Sequence, residues 1–371
     1  MAIKKSNIEF SQLVSEKAHK FKFPARVMFE LTYRCNFRCL HCYVAASKKK
    51  KQLTTTQVKN ILGQLKDAGC CHIGFTGGEV FLRKDFFQIL EYARINGFRI
   101  SILTNGFLIN KQIAKKLAGL GNSLNRVDIS VLGASEKTLE KITGIKGSYK
   151  RIIRSIKLLK AMGIYVQLKA TLLTLNKDEF LKIKQIAEKL KIVFRYSPSV
   201  CAKVDGNVGP LKYQVDAEGV WEIKQQLAGD KRAINDDAQI AGRVQQIGRR
   251  NLFRCGAAQT EATISPYGEL NFCLEIHYPQ YNILKSSFKE CWEKLKGLVG
   301  EIKPPKKYLC QDCALALFCH WCPAKAWALK KDFFTCDPKE RASAYEEARH
   351  SVFWKDIAPI WEKQKQRFYL P

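Results

Sequence analysis

The sequence predicts an α/β protein: a partial (β/α)6 barrel of TIM type, followed by a small α+β Cys-rich region with a β-hairpin and C-terminal helices. Three observations carry this. Short apolar runs rich in β-branched residues alternate with longer segments of helical period, which gives a parallel sheet. Six such units point to an open barrel rather than a closed one of eight. Beyond residue 250 the alternation stops, and eight cysteines follow, seven of them in a specific order around Ser265-Pro-Tyr-Gly268, a turn between two short strands. We divide the chain into an N-terminal extension (1–25), a barrel (26–205), a linking segment with bridging helices (206–251), a Cys-rich region (252–338) and C-terminal helices (339–371).

The six strands are expected at Val27–Leu31, His72–Thr76, Arg99–Thr104, Arg126–Val131, Val166–Leu172 and Ile192–Tyr196. Between them Thr54–Ala68, Lys84–Asn96, Asn110–Ala118, Ser135–Ile142, Tyr149–Met162 and Lys177–Leu190 show apolar residues at helical spacing, with Thr54–Thr56 as a start and Gly97 and Gly163 as ends. The linking segment holds a helix near Ala217–Leu227. Lys339–Gln364 reads as helices whose Trp354 and Trp361 pack back on the body.

Hydrophobic residues make up 46%, enough for a sizeable core. No apolar run is long enough to cross a bilayer, and Met-Ala-Ile-Lys-Lys-Ser is no signal peptide, so a cytoplasmic setting without membrane is expected. Fourteen cysteines in a reducing cytosol imply thiols in use, with clustered Cys-x2-Cys spacing arguing for metal. The net charge of +29 reads as a Lys-rich surface that steers an acidic partner, a peptide or an electron donor; no nucleic-acid motif accompanies it. Lys48–Lys51 reads as a solvated loop.

Cys35, Cys39 and Cys42 follow the first strand as Cys-x3-Cys-x2-Cys, with no fourth cysteine near. Three thiolates hold a [4Fe–4S] cube and leave one iron free; structural zinc would close with a fourth Cys or His, and His41 lies inside the same tight loop. Phe75-Thr-Gly-Gly-Glu79, Leu103-Thr-Asn-Gly106 and Val127-Asp-Ile-Ser130 follow in turn, each at a strand's carboxyl end. This order resembles radical S-adenosylmethionine (SAM) enzymes. The resemblance implies SAM on the open iron, with Thr76, Gly77, Gly78, Glu79, Asn105, Ser130 and Arg154 around it. Gly77 and Gly78 let backbone approach the methionyl part, or are an ordinary turn. Glu79 accepts from the SAM ammonium, or faces solvent. Ser130 bonds a ribose hydroxyl. Asn105 supports loop or cofactor, or caps a helix. Arg154, with Arg151 second, reaches the SAM carboxylate, or lies on a solvated helix face. Phe194-Arg-Tyr-Ser197 is placed at the adenine, and Cys70, Cys71 and Cys201 in the core. Two departures stand out: Val80 replaces the family's usual Pro, and Leu132-Gly133 its Asp.

The C-terminal cysteines run Cys255, Cys273, Cys310-x2-Cys313-x5-Cys319-x2-Cys322, Cys336. They resemble the SPASM extension of such enzymes, with a gap of two before Cys322 where three is usual; paired zinc sites are the alternative. The resemblance implies two auxiliary [4Fe–4S] clusters, one on Cys310, Cys313, Cys319 and Cys336, the other on Cys255, Cys273 and Cys322. The second lacks a fourth thiolate. Cys291 is one candidate; otherwise the iron is open or takes Glu261, water or substrate.

The activity implied is reductive cleavage of SAM, with electrons from a flavodoxin- or ferredoxin-type donor, to a 5′-deoxyadenosyl radical that takes hydrogen from a peptide or protein residue. A small-molecule or cofactor-synthesis enzyme, haem-type included, has similar cysteines; a non-catalytic metal- or nucleic-acid-binding protein is favoured by charge alone. About 25 residues before the barrel are too few for a separate peptide-recognition domain, so leader recognition would fall to the body or another protein. Asp128, Glu261 and Tyr267 are conceivable acid–base groups.

Overall fold

A computed structural model describes residues 13–45, 50–228, 233–235, 252–253, 255–306, 308–310 and 312–368. Lys48, Lys49 and most of the linking segment lie outside them. A helix over 13–21 (α1) leads in. Six parallel strands follow: β1 Arg26–Thr32, β2 His72–Gly77, β3 Arg99–Thr104, β4 Leu124–Ser130, β5 Val166–Thr171 and β6 Val193–Ser197. Their connecting helices are α2 Thr55–Asp67, α3 Phe86–Ile95, α4 Lys111–Ala118, α5 Glu136–Thr143, α6 Ser148–Ala161 and α7 Phe180–Lys189. Every expected unit is present. Thr54 and Gln57 form a capping box that starts α2, and Asn110 and Ser135 cap α4 and α5.

Side-chain alternation gives the sheet two unlike faces. Phe29, Phe75, Ile102, Val127, Leu168 and Phe194 point to the helices and are fully buried. Each contributes about 1.5–3 kcal/mol by leaving water. The opposite face carries Glu30, Thr76, Asp128, Gln167 and Lys169, in register across the strands. A parallel sheet usually buries apolar side chains on both faces, so this polar inner face marks a site.

The hairpin joins the barrel sheet. Its strands β8 Glu261–Ile264 and β9 Glu269–Cys273 turn at Gly268, whose N–H donates to Ser265 O (3.0 Å). β8 pairs parallel with β1 from Arg26↔Glu261 to Phe29↔Ile264. The result is one ten-stranded sheet, β10-β9-β8-β1-β2-β3-β4-β5-β6-β7, with β7 at Ala233–Asn235 and β10 at Ile276–Asn282. The physical reason is that β1 would otherwise show a bare hydrogen-bonding edge. Arg26 and Glu261 also pair, at 3.2 Å. Helix α8 (Ala217–Leu227) precedes this hairpin; α9 (Phe288–Glu301), α10 (Pro323–Lys330), α11 (Pro338–Arg349) and α12 (Trp354–Gln364) complete the chain. Trp361 is buried as expected, and Trp354 packs edge-on against Tyr345. Lys50 is not simply solvated: it pairs with Glu269 at 2.5 Å and lies over the Tyr267 ring.

At the amino end of the sheet, His72 Nε2 meets Ser101 Oγ at 2.9 Å. Burial first, then Arg26, Arg126 and Arg99, hold its imidazole down to about 3 from 6.5. The unfolded chain therefore takes up this proton near pH 6.5 and the folded chain only near 3. Stability is lost as pH falls below 6.5, by about 2 kcal/mol at pH 5 relative to neutral. Thermal melts at pH 7.5 and 5 are expected to show a shallower acid loss in His72→Gln than in the parent. Equal slopes would remove His72 from the account.

Candidate active site

The loop after β1 is held from three sides. Gly78 N–H donates to Thr32 O at 2.6 Å and Glu79 N–H to Arg34 O at 2.9 Å, which clamps the loop to the end of β2. Arg38 and Leu40 N–H donate to Thr143 and Ile142 carbonyls at the end of α5 (2.9 and 3.1 Å). Asn105, after β3, donates from Nδ2 to Asn36 Oδ1 at 2.9 Å and lies 3.9 Å from Cys35 Sγ. Its Oδ1 accepts from Phe107 N–H, so Asn105 supports the loop, while Asn110 takes the helix cap.

Gly77 and Gly78 lie against the backbone of the cysteine loop. A Cβ on Gly77 would lie 2.3 Å from Thr32 O, and one on Gly78 2.3 Å from Arg34 O. Gly77 also holds φ at +124°. The space that glycine leaves open is filled by the cysteine loop itself. Glu79 is not at the solvent face either. It is fully buried; its carboxylate accepts from Thr104 Oγ1 (2.8 and 2.9 Å), Asn105 N–H (2.9 Å) and Phe81 N–H (3.1 Å). Burial pushes its carboxyl up, and those hydrogen bonds oppose the rise. Thr76 is buried beside it on the inner face, at the end of β2.

Ser130 is the exposed residue ending β4. On α6, Arg154 and Arg151 are both exposed; Arg151 lies over the Phe107 ring (4.5 Å), and Phe107 meets Phe37 of the cysteine loop edge-on. Phe194 and Tyr196 do not reach the inner face: they stack on each other and pack against Phe180 of α7. Two residues apart on one strand, they share the helix-facing side.

Sequence reasoning missed one group entirely. Glu30, 0% exposed, accepts from Tyr33 Oη at 2.6 Å and Tyr43 Oη at 3.0 Å, and His277 Nε2 of β10 lies 3.3 Å from it. Tyr267 meets Tyr33 edge-on. Burial, then Glu30, pushes both tyrosine hydroxyls well up. Asp128 accepts from Arg126 Nε at 3.1 Å.

The three loop thiols fit an iron cluster. Burial and then mutual repulsion push the Cys39 thiol up to about 12, and burial raises Cys35 and Cys42. A grouping that penalises free thiolates suits a cationic centre taking all three. Buried Asn36 Nδ2 and His41 Nδ1 on this loop have no protein partner among the described residues, which leaves them to a bound group.

In the C-terminal region a cavity of about 300 Å³ is lined by all seven cysteines. They fall into two sets by mutual interaction. Cys310 hydrogen-bonds Cys336, with Cys313 and Cys319 beside them. Cys273 neighbours Cys322 and Cys255. Among the described residues no three His, Cys, Asp or Glu converge as for a single metal ion. Cys291 lies in the apolar core on α9, not on this cavity. Cys70 is core as expected. Cys201 is not merely core; it stands beside Glu275, close to Cys322.

The strand ends and the three-cysteine loop held against them form the candidate active site. Residues 29–190 match the model of the radical SAM superfamily, and this part of the chain is a radical SAM domain. The chain is 25% identical over 336 residues to AdoMet-dependent heme synthase of Methanosarcina barkeri, covering 85% of this chain and 95% of that protein. It is 25% identical over 344 residues to mycofactocin maturase MftC of Mycolicibacterium smegmatis, covering 87% and 83%. The fold is similar to that of Streptococcus suis SuiB bound to precursor peptide SuiA, with a TM-score of 0.68 at 17% identity, over 91% of this chain and 80% of that one. No helix among the described residues is long and apolar enough to cross a membrane.

Proposed function

We propose that this enzyme oxidatively modifies a residue of a peptide or protein. The carrying observation is the pair of thiol sets, four and three, on one cavity in the same chain as the three-cysteine loop. In this reading each set holds an auxiliary [4Fe–4S] cluster, giving an acceptor for the electron that a substrate loses after hydrogen abstraction. When bound, the loop cluster and SAM supply a 5′-deoxyadenosyl radical. The residues supply placement. Cys35, Cys39 and Cys42 are the ligands. Thr76, Glu79 and Asn105 hold the loop and the strand ends in one geometry. Ser130 presents a hydroxyl at the end of β4, and Arg151, ahead of Arg154, a cation. A peptide substrate is favoured by likeness to MftC and by SuiB's fold. The net charge of +29 suits an acidic donor protein of flavodoxin or ferredoxin type. A cofactor-type substrate is the second reading, favoured by the heme synthase relative.

The test is anaerobic incubation of reconstituted, reduced protein with SAM, quantifying 5′-deoxyadenosine beside a Cys35/Cys39/Cys42→Ala triple variant. Cleavage is expected in the parent alone, with about twelve irons falling to about eight. Adding candidate precursor peptides or an iron porphyrin should raise turnover for one class only; a porphyrin response alone would replace the peptide reading. No cleavage under any reductant would sink both.

A further inference from the structure

A carboxylate stands beside the three-thiol set. Glu275 follows Cys273 by two residues, between β9 and β10. Its backbone N–H donates to the Cys273 thiol. Its Oε2 lies 3.9 Å from Cys322 Sγ, and its charge acts on Cys255, Cys273 and Cys322 alike. Its side chain lines the thiol cavity. Other candidates fit less well. Cys291 is away from the cavity. Glu261 lines it, but of the three thiols its charge is felt at Cys255, whereas that of Glu275 is felt at all three. Cys201 touches Glu275 from behind, hydrogen-bonded to its carboxylate, and lines a neighbouring small cavity instead.

We propose that a carboxylate oxygen of Glu275 is the fourth protein ligand of the iron–sulfur cluster held by Cys255, Cys273 and Cys322, with Cys201 positioning that carboxylate. The assignment rests on reading the C-terminal cysteines as cluster ligands. Three thiolates leave one iron without a protein ligand; an oxygen anion within the same ring of side chains fills that position. Iron accepts carboxylate as well as thiolate, though a soft thiolate would hold the cluster more firmly.

The test uses the full chain carrying Cys35/Cys39/Cys42→Ala, so that only C-terminal clusters remain. Iron content and the EPR spectrum of the reduced protein are recorded with and without cyanide. With Glu275 intact, about eight irons and a spectrum indifferent to cyanide are expected. Glu275→Ala should change the signal of one cluster and make it shift on adding cyanide. If Glu275→Ala loses that cluster, Glu275→Cys must restore the iron and the indifference to cyanide; failure to do so overturns the assignment. So does a parent signal that moves with cyanide, or an unchanged Glu275→Ala spectrum. Loss of nearly all iron in the starting variant would instead overturn the auxiliary-cluster reading itself.

Discussion

Replacing Gly78 with alanine will leave the chain unable to hold iron at Cys35, Cys39 and Cys42. The new Cβ would sit 2.3 Å from Arg34 O and 2.8 Å from Arg34 C, with Tyr33 C at 3.0 Å. All are backbone atoms, so no side chain can swing aside. The backbone cannot retreat either. Gly78 N–H is bonded to Thr32 O, and β1 and β2 are in register from Arg26↔His72 to Glu30↔Thr76 just below. The loop must therefore detach, taking Cys35 with it, because Arg34 and Cys35 are adjacent. About four irons and at least 100-fold of 5′-deoxyadenosine formation should go together, since a cluster bound by two thiolates lacks its geometry. Iron at the C-terminal thiols should stay. Gly97→Ala is the matched control: its φ is +79° but a Cβ meets nothing within 4 Å, so only about 1 kcal/mol of backbone strain is expected. Full iron in Gly78→Ala, measured with 5′-deoxyadenosine, would show that the glycines are an ordinary turn.

Those glycines show what sequence can and cannot carry. Position was legible: β3 runs over Arg99–Thr104 and α8 over Ala217–Leu227, the bounds the periodicity gives. Local signals, a turn or a cap, depend on a few neighbouring residues. What Gly77 and Gly78 face depends on Thr32 and Arg34, more than forty residues earlier, and no local pattern encodes that. The β1–β8 pairing spans 235 residues between Arg26 and Glu261 and was equally hidden. Two further signals were legible. Phe194 and Tyr196 sit at a spacing of two, so they share a face with the outward apolar residues. Helix α9 opens with Ser287-x-x-Glu290, a capping box that its structure uses in full. Glu30 also left a trace: it is the lone acid in Val-Met-Phe-Glu-Leu, where a buried strand rarely accepts charge. Its partners were only partly within reach: Tyr33 and Tyr43 lie on the loop that follows β1, but His277 comes from a strand almost 250 residues later.

Glu30→Ala is expected to destabilise the protein by about 3–5 kcal/mol, the range for removing one partner of a buried charged network. The carboxylate is fully buried and accepts from both Tyr33 and Tyr43; truncation leaves two hydroxyls and His277 Nε2 without it. Tyr33 Oη and His277 Nε2 keep each other at 3.1 Å, so the Tyr43 hydroxyl is the group that loses its acceptor, at about 1–3 kcal/mol. Glu30→Gln should cost less, about 1–2 kcal/mol, because the amide keeps one acceptor while its NH2 faces a donor. The consequence reaches the site. Tyr33 and Tyr43 bracket the three cysteines, and His277 belongs to the hairpin strand that continues past Glu275. The network therefore fastens the cysteine loop to the thiol-lined region across the open inner face of the sheet. If that is its role, Glu30→Gln combined with His277→Gln should cost less than the sum of the two alone, with a coupling of about 0.5–3 kcal/mol. Denaturation midpoints of the four proteins, measured anaerobically, decide this. Additive effects would reduce Glu30 to a buried acid with local partners. A Glu30→Ala loss below about 0.5 kcal/mol, the size of an ordinary surface change, would mean that water takes over the hydrogen bonds and that the network fastens nothing.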